Sequence, residues 1–227
     1  MKIETILGPG NAAAQVTLEN NETLVAEGGA MVAMSNNVSI TTTTHQKKQG
    51  GIMSGLKRLL GNESFFLNHF TATSDGAAVT LAPTLSGDMS VLELDNHRII
   101  VQSGSYVACE HSVNMDIGWQ GFKSLFAKEG LFWINLSGKG KVLVNSFGAI
   151  YPIQVDGEYI VDTGHIVAFD ETLDFSLTKA GKSWISSILG GEGLVCRFRG
   201  TGTVWCQSHN ASAFGRSLGR QLKPIKR

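Results

Sequence analysis

Apolar and polar residues alternate along much of this chain. Val16 and Leu18 stand among Gln15, Thr17 and Glu19. Val38 and Ile40 stand among Asn37, Ser39 and Thr41, and Leu173, Phe175 and Leu177 interleave with Asp174, Ser176 and Thr178. Period two with β-branched and aromatic residues predicts half-buried antiparallel strands. No helical pattern of roughly 10–15 residues separates these runs, so a βαβ layout is not expected.

The strand pattern recurs. Leu18-Glu19-Asn20 precedes Leu24-Val25, Leu94-Asp95-Asn96 precedes Ile100-Val101, and Val155-Asp156-Gly157 precedes Ile160-Val161. Each reads as a hairpin, because Asn and Gly tolerate the positive φ of tight turns. A glycine followed by Val-Ala comes next: Gly29-Ala30-Met31-Val32-Ala33, Gly104-Ser105-Tyr106-Val107-Ala108 and Gly164-His165-Ile166-Val167-Ala168, at intervals of 75 and 60 residues. Glu63-Ser64-Phe65, Glu129-Gly130-Leu131 and Glu192-Gly193-Leu194 follow in the same order. Gly138-Lys139-Gly140-Lys141-Val142 then matches Gly200-Thr201-Gly202-Thr203-Val204, again read as hairpin turns, with Gly76-Ala77-Ala78-Val79 in the first copy. The shared order predicts one all-β domain over 1–210. It is made of three tandem β-sandwich-like repeats at about 15–91, 92–152 and 153–208, with a basic tail at 211–227.

One stretch in each copy breaks the alternation: 52–60, 119–126 and 181–189. Apolar residues there recur at three- and four-residue spacing, which predicts one or two helical turns between strands. These stretches carry Ile52, Met53, Leu56 and Lys57, then Trp119, Phe122, Lys123 and Phe126, then Lys182, Trp184, Ile185 and Ile188. Three roles fit them. They plug the open ends of the sandwiches, they form a subunit or partner interface, or they touch a membrane surface, where aromatic tips beside basic residues are favoured.

Composition sharpens this picture in a few places. Among the 227 residues are 27 glycines and four prolines, which suits many short strands and turns, and 42% are hydrophobic, enough for a sizeable core. No run approaches the roughly 18 apolar residues of a membrane helix. Met1-Lys2-Ile3-Glu4 lacks the basic and apolar regions of a signal peptide. Cys109, Cys196 and Cys206 form no metal spacing and are expected as reduced core thiols, with a Cys196–Cys206 disulfide as the less favoured option. These features predict a cytoplasmic protein, either free or peripheral to the inner face of the membrane. Formal charge is zero, yet the last acid is Glu192, and Arg197, Arg199, Arg216, Arg220, Lys223, Lys226 and Arg227 follow it. The last five are candidate anion contacts, or simply a solvated end.

A search for chemistry finds no catalytic signature. Ala180-Gly181-Lys182-Ser183 resembles the end of a phosphate loop, but Ser176 stands where that loop needs glycine. No two of the six histidines have metal-pair spacing, and no Gly-x-Ser-x-Gly elbow occurs. No catalytic residue, metal ligand or cofactor is therefore expected.

Together, the thrice-used Gly-x-x-Val-Ala, the segment Gly61-Asn62-Glu63-Ser64-Phe65-Phe66-Leu67-Asn68, Gly87-Asp88 before a strand, and the Gly-x-Gly pairs resemble the altered-inheritance-of-mitochondria family. The resemblance covers about 1–210. It implies a fold similar to the tryptophan RNA-binding attenuation protein, with repeats about a pseudo-threefold axis, and homo-oligomers, with trimers expected. A fungal branch of the family is linked to mitochondrial inner-membrane organisation. The combined expectation is a non-enzymatic oligomeric scaffold or binding protein that meets a membrane surface or protein partner through the apolar-basic tips. The alternative is nucleic-acid binding through the basic tail, a fold-level analogy.

Overall fold

The computed structural model describes residues 1–44, 65–117, 132–179 and 194–222. It is built of antiparallel strands. The first of three successive stretches of strands, over residues 2–81, forms β1 (Lys2–Ile6), β2 (Ala13–Leu18), β3 (Thr23–Glu27), β4 (Met31–Met34), β5 (Val38–Thr44), β6 (Phe66–Ala72) and β7 (Ala77–Leu81). The second forms β8 (Met89–Gln102), β9 (Tyr106–Glu110), β10 (Val113–Asp116) and β11 (Trp133–Asn145). The third forms β12 (Ile150–Asp162), β13 (Ile166–Asp170), β14 (Asp174–Lys179) and β15 (Leu194–Gln207), and helix α1 (Ala211–Gln221) follows. The alternating segments fall on β2, β5 and β14 as their period requires.

Two of the hairpin readings need correcting. Asp95-Asn96 and Asp156-Gly157 do not reverse the chain; they lie inside the continuous strands β8 and β12. Likewise Gly138–Lys141 and Gly200–Thr203 lie inside β11 and β15. The positive φ is real but serves a different purpose. Asn96, at φ 59°, is the extra residue of a bulge opposite Gly138 and Lys139. Gly157 and Gly200, at φ 99° and 116°, face each other across β12 and β15. A left-handed residue bends a long strand here, because its neighbour strand bends with it and keeps the ladder paired. Two of the readings do separate strands: Asn20-Asn21 lies between β2 and β3, and Gly76, at φ 72°, lies in the turn between β6 and β7.

Among the described residues the strands form two sheets. One has the order β1-β2-β7-β4. The other has the order β12-β15-β13-β8-β11-β9-β3-β6-β5, with β10 on β11 and β14 on β15. The large sheet is continuous because short strands bridge long ones: β9 pairs with both β11 and β3, and β13 pairs with both β15 and β8. Tyr106, fully buried, fastens the first bridge by donating its hydroxyl to the Val25 carbonyl at 2.9 Å. At the second, Trp133 meets Phe169 edge-on, with ring centroids 5.6 Å apart.

The core follows the three stretches. Leu18, Leu24, Phe70 and Leu81 lie in one cluster, Ile99, Ile134 and Leu136 in a second, and Phe169, Phe198 and Val204 in a third. The three cysteines are buried and free. A Cys196–Cys206 bridge is ruled out by geometry. Both sit on β15, ten residues apart, so the rise of a strand puts them roughly 33 Å from each other. Burial raises their thiols to about 12, and Cys109 to about 11, which leaves them unreactive near neutral pH.

Candidate functional site

Buried polar side chains are costly unless something satisfies them. Here they gather in one place. Gln102, Ser105, Asn145, Thr163 and Gln207 are all buried, and all line one cavity of about 460 Å³. Its wall is made where long strands turn into the short ones that follow. Gly28-Gly29 lead from β3 to β4, a 3₁₀ turn at Ser103–Ser105 leads from β8 to β9, and a second at Thr163–His165 leads from β12 to β13. Ala82, Asn145 and Gln207, the residues just after or at the ends of β7, β11 and β15, complete the ring. Pro83, Leu85, Val107 and Phe147 supply apolar wall.

Some of these polar groups are fully engaged. The Gln207 amide donates to the Gly164 carbonyl at 3.0 Å and accepts from the Phe147 N–H at 2.9 Å. The Ser103 hydroxyl accepts from the Phe132 N–H at 3.2 Å. Asp162 accepts from the Gly164 N–H at 2.8 Å and so closes the second 3₁₀ turn. By contrast, the side-chain amides of Gln102 and Asn145 are not sealed off: both line the open space of the cavity, and among the described residues the fully buried polar side-chain atom without a partner is Asn135 Oδ1. Glu27 also faces the cavity. Burial raises its carboxyl from the ordinary 4.5 to about 7, so it is a neutral donor on the acid side of neutrality. The lining is therefore rich in uncharged donors and acceptors. It can hold a small polar group, and Glu27 adds one carboxyl that changes charge near neutrality.

The mouth of the cavity is the start of α1. Asn210 caps that helix, accepting from the Ala213 N–H at 3.0 Å, and packs against Gly164. A Cβ at position 164 would lie 1.9 Å from the Asn210 amide nitrogen, so the glycine of this Gly-x-x-Val-Ala step is required by close approach. Helix α1 buries no residue. Phe214 and Leu218 are about half exposed and four apart, which puts them along one stripe, and exposed Leu222 follows at the extended C-cap of the helix. The ring of Phe214 meets that of Phe147, with centroids 5.4 Å apart. Arg216 and Arg220, also four apart, are exposed on the same helix.

The predicted contacts divide accordingly. Ile52, Met53, Leu56, Lys57, Trp119, Phe122, Lys123, Phe126, Lys182, Trp184, Ile185 and Ile188 lie outside the described residues, as do Lys223, Lys226 and Arg227. Arg216 and Arg220 fall one turn apart on α1. The cavity was missed. Its signal was present in Val144-Asn145-Ser146 and Cys206-Gln207-Ser208, where equivalent strands end on an amide side chain. Among the described residues there is no group of three or more His, Cys, Asp or Glu placed to hold a metal, and no helix long and apolar enough to cross a membrane.

A predominantly β protein with a polar cavity at its strand ends is the class that this geometry defines. The chain belongs to the family described as mitochondrial biogenesis AIM24, whose model matches residues 5–209. It is 32% identical over 219 residues to an uncharacterised protein of Streptococcus pyogenes serotype M6, covering 92% of this chain and 86% of that one. It is also similar to a Streptococcus pyogenes protein of known crystal structure. That likeness has a TM-score of 0.78 at 28% identity, and covers 97% of this chain and 99% of the other.

Proposed function

We propose that this protein is a non-enzymatic oligomeric scaffold, built from three repeats about a pseudo-threefold axis as in the tryptophan RNA-binding attenuation protein. It works in the cytoplasm against an anionic membrane surface, and α1 is the element that touches it. The observation that carries this reading is the helix itself. Its apolar stripe is exposed, its arginines are free to reach anionic head groups, and no acid follows Glu192 in the sequence. The apolar-basic stretches at 52–60, 119–126 and 181–189 have the same composition and would add to the contact. Support for three repeats comes from β4, β9 and β13, which pair with β7, β11 and β15 through the same one-residue irregularity.

Flotation with phosphatidylglycerol vesicles tests the reading. Each basic residue near such a surface contributes about 1 kcal/mol, so Arg216→Glu with Arg220→Glu is expected to weaken binding at least tenfold. Leu218→Ser with Leu222→Ser is expected to abolish it. Flotation that ignores both pairs, or is equal on phosphatidylcholine, would sink the proposal. Retardation of RNA that the arginine variants abolish, without flotation, would favour the nucleic-acid alternative.

The cavity supports a second reading, in which the scaffold also holds a small uncharged polar ligand. The uncharged amides of Gln102, Asn145 and Gln207 in the cavity lining favour it, since they can donate to and accept from such a ligand. Native mass spectrometry of the purified protein is expected to show a small-molecule adduct that Gln102→Leu with Asn145→Leu removes. A bare mass in both proteins counts against a ligand.

A further inference from the structure

This chain joins long strands to short ones in one way twice, and it holds the parts for a third joint. At the first joint, β3 meets β9 with Leu24 opposite Glu110, Val25 opposite Cys109 and Ala26 opposite Ala108. The His111 N–H continues the ladder onto the Thr23 carbonyl at 3.2 Å. At the second, β8 meets β13 with Ile99 opposite Asp170, Ile100 opposite Phe169 and Val101 opposite Ala168, and the Glu171 N–H reaches the Arg98 carbonyl at 3.2 Å. The registers are superposable: 75 residues separate Leu24 from Ile99, and 60 separate Glu110 from Asp170.

The same intervals define a third pair of strands, the Tyr159–Val161 part of β12 and β4. Going 60 residues on from Ile99 gives Tyr159, and 75 back from Cys109 gives Met34. Yet these two do not pair. Among the described residues β4 pairs with β7 alone and ends the small sheet, while β12 pairs with β15 alone and ends the large one. Burial records the difference. Val107 and Val167, at the two closed joints, are 1% and 0% exposed, whereas Val32 at the equivalent place is 62% exposed. On the opposite strand Ile100 is 0% exposed, but Ile160 is 49% exposed. Met31, Met34 and Tyr159 are likewise open where Tyr106, Cys109 and Ile99 are buried.

An exposed apolar edge strand invites another strand, and proteins usually guard against this with Lys, Pro or an inward charge. Neither Met31–Met34 nor Tyr159–Val161 contains any of these. We propose that β4 of one copy of this chain pairs with β12 of a second copy, antiparallel, with Ser35 opposite Tyr159, Met34 opposite Ile160 and Ala33 opposite Val161. The interface continues one that the chain already makes twice within itself, and each copy brings both halves. It is therefore a head-to-tail contact, and it closes into a ring if the rotation permits. This inference deepens the oligomeric-scaffold reading by naming the contact, and it stands independently of membrane binding by α1.

The register makes a cross-linking test specific. Met34→Cys and Ile160→Cys are made as separate variants, mixed and mildly oxidised. The native cysteines are buried, with thiols raised to about 11 or 12, and stay silent. The expected product is a covalent pair of twice the chain mass, formed in the mixture and several-fold less in either variant alone. A single chain carrying both cysteines then cross-links into a ladder of oligomers. If that double variant instead gives an internally bridged monomer, while the mixture stays at single mass, β4 and β12 close within one chain and the proposal is overturned. Light scattering supplies the second measurement. The unmodified protein is expected to be an oligomer, and Met34→Lys or Ile160→Lys should reduce it to a folded monomer by circular dichroism. A monomeric wild type, or lysine variants of unchanged mass, also overturns it.

Discussion

At the scale of single residues, Glu27 has the most to lose on folding. It begins in water in the unfolded chain, with an ordinary carboxyl near 4.5, and ends beside the cavity with a value of about 7. The folded state therefore holds the proton more tightly. Stability contributed by the protonated group is complete below about pH 4.5 and is lost as pH rises through 7. At about 1.4 kcal/mol per unit, the loss from this one residue is on the order of 3 kcal/mol by pH 8. Glu27→Gln, which keeps the shape and cannot ionise, is expected to match the wild type in urea unfolding at pH 4.5 and to exceed it by about 2–3 kcal/mol at pH 8. A parallel pH dependence in both proteins would show that the carboxyl is solvated. Nothing in the sequence around Glu27 announces this, since Val-Ala-Glu-Gly reads as an ordinary strand end. The burial comes from the two other turns that share the cavity.

Elements were legible to the degree that their cause is local. Period-two alternation at 15–19, 37–41 and 173–178 marks strands, and strands fall there, although on β5 only Val38 of the apolar pair is buried and Ile40 is exposed. Turn chemistry was less informative. Asn96, Gly138 and Gly200 need positive φ whether the chain reverses or merely bends, so the same residues serve a hairpin and a kinked long strand. What decides is the partner strand, which is remote in sequence: Gly200 faces Gly157, and the bend of one requires the bend of the other. Helix α1 was hidden for a related reason. Gly215, Gly219, Ser212 and Ser217 give it weak intrinsic propensity, and its start is set by the Asn210 cap seated against Gly164, a contact across 46 positions of sequence. Phe214 and Leu218 stand four apart in the sequence, but only once the segment is helical does that spacing become a face.

For the whole molecule, strand pairing between remote segments explains more than the cores do, because β3 pairs with β9 and β8 with β13. Among the described residues such pairing leaves edge strands, of which β4 ends one sheet and β12 the other. If a second copy closes them, folding and assembly share one interface, and stability must depend on concentration. Binding that occurs only in the native state stabilises by about 2.7 kcal/mol when the partner is a hundredfold above its dissociation constant. Amide exchange reads this locally. At low concentration the amides of Met31–Met34 and Tyr159–Val161 should exchange rapidly, while those of Tyr106–Cys109 and Ile166–Phe169, in equivalent strands already paired on both sides, stay protected. Raising the protein concentration about a hundredfold is expected to slow exchange in the first two segments together, leave the second two unchanged, and lift the melting temperature by several degrees. Met34→Lys should remove both effects. Slowing confined to β4 alone would mean that some surface other than β12 covers it, because a joint made of two strands must protect both.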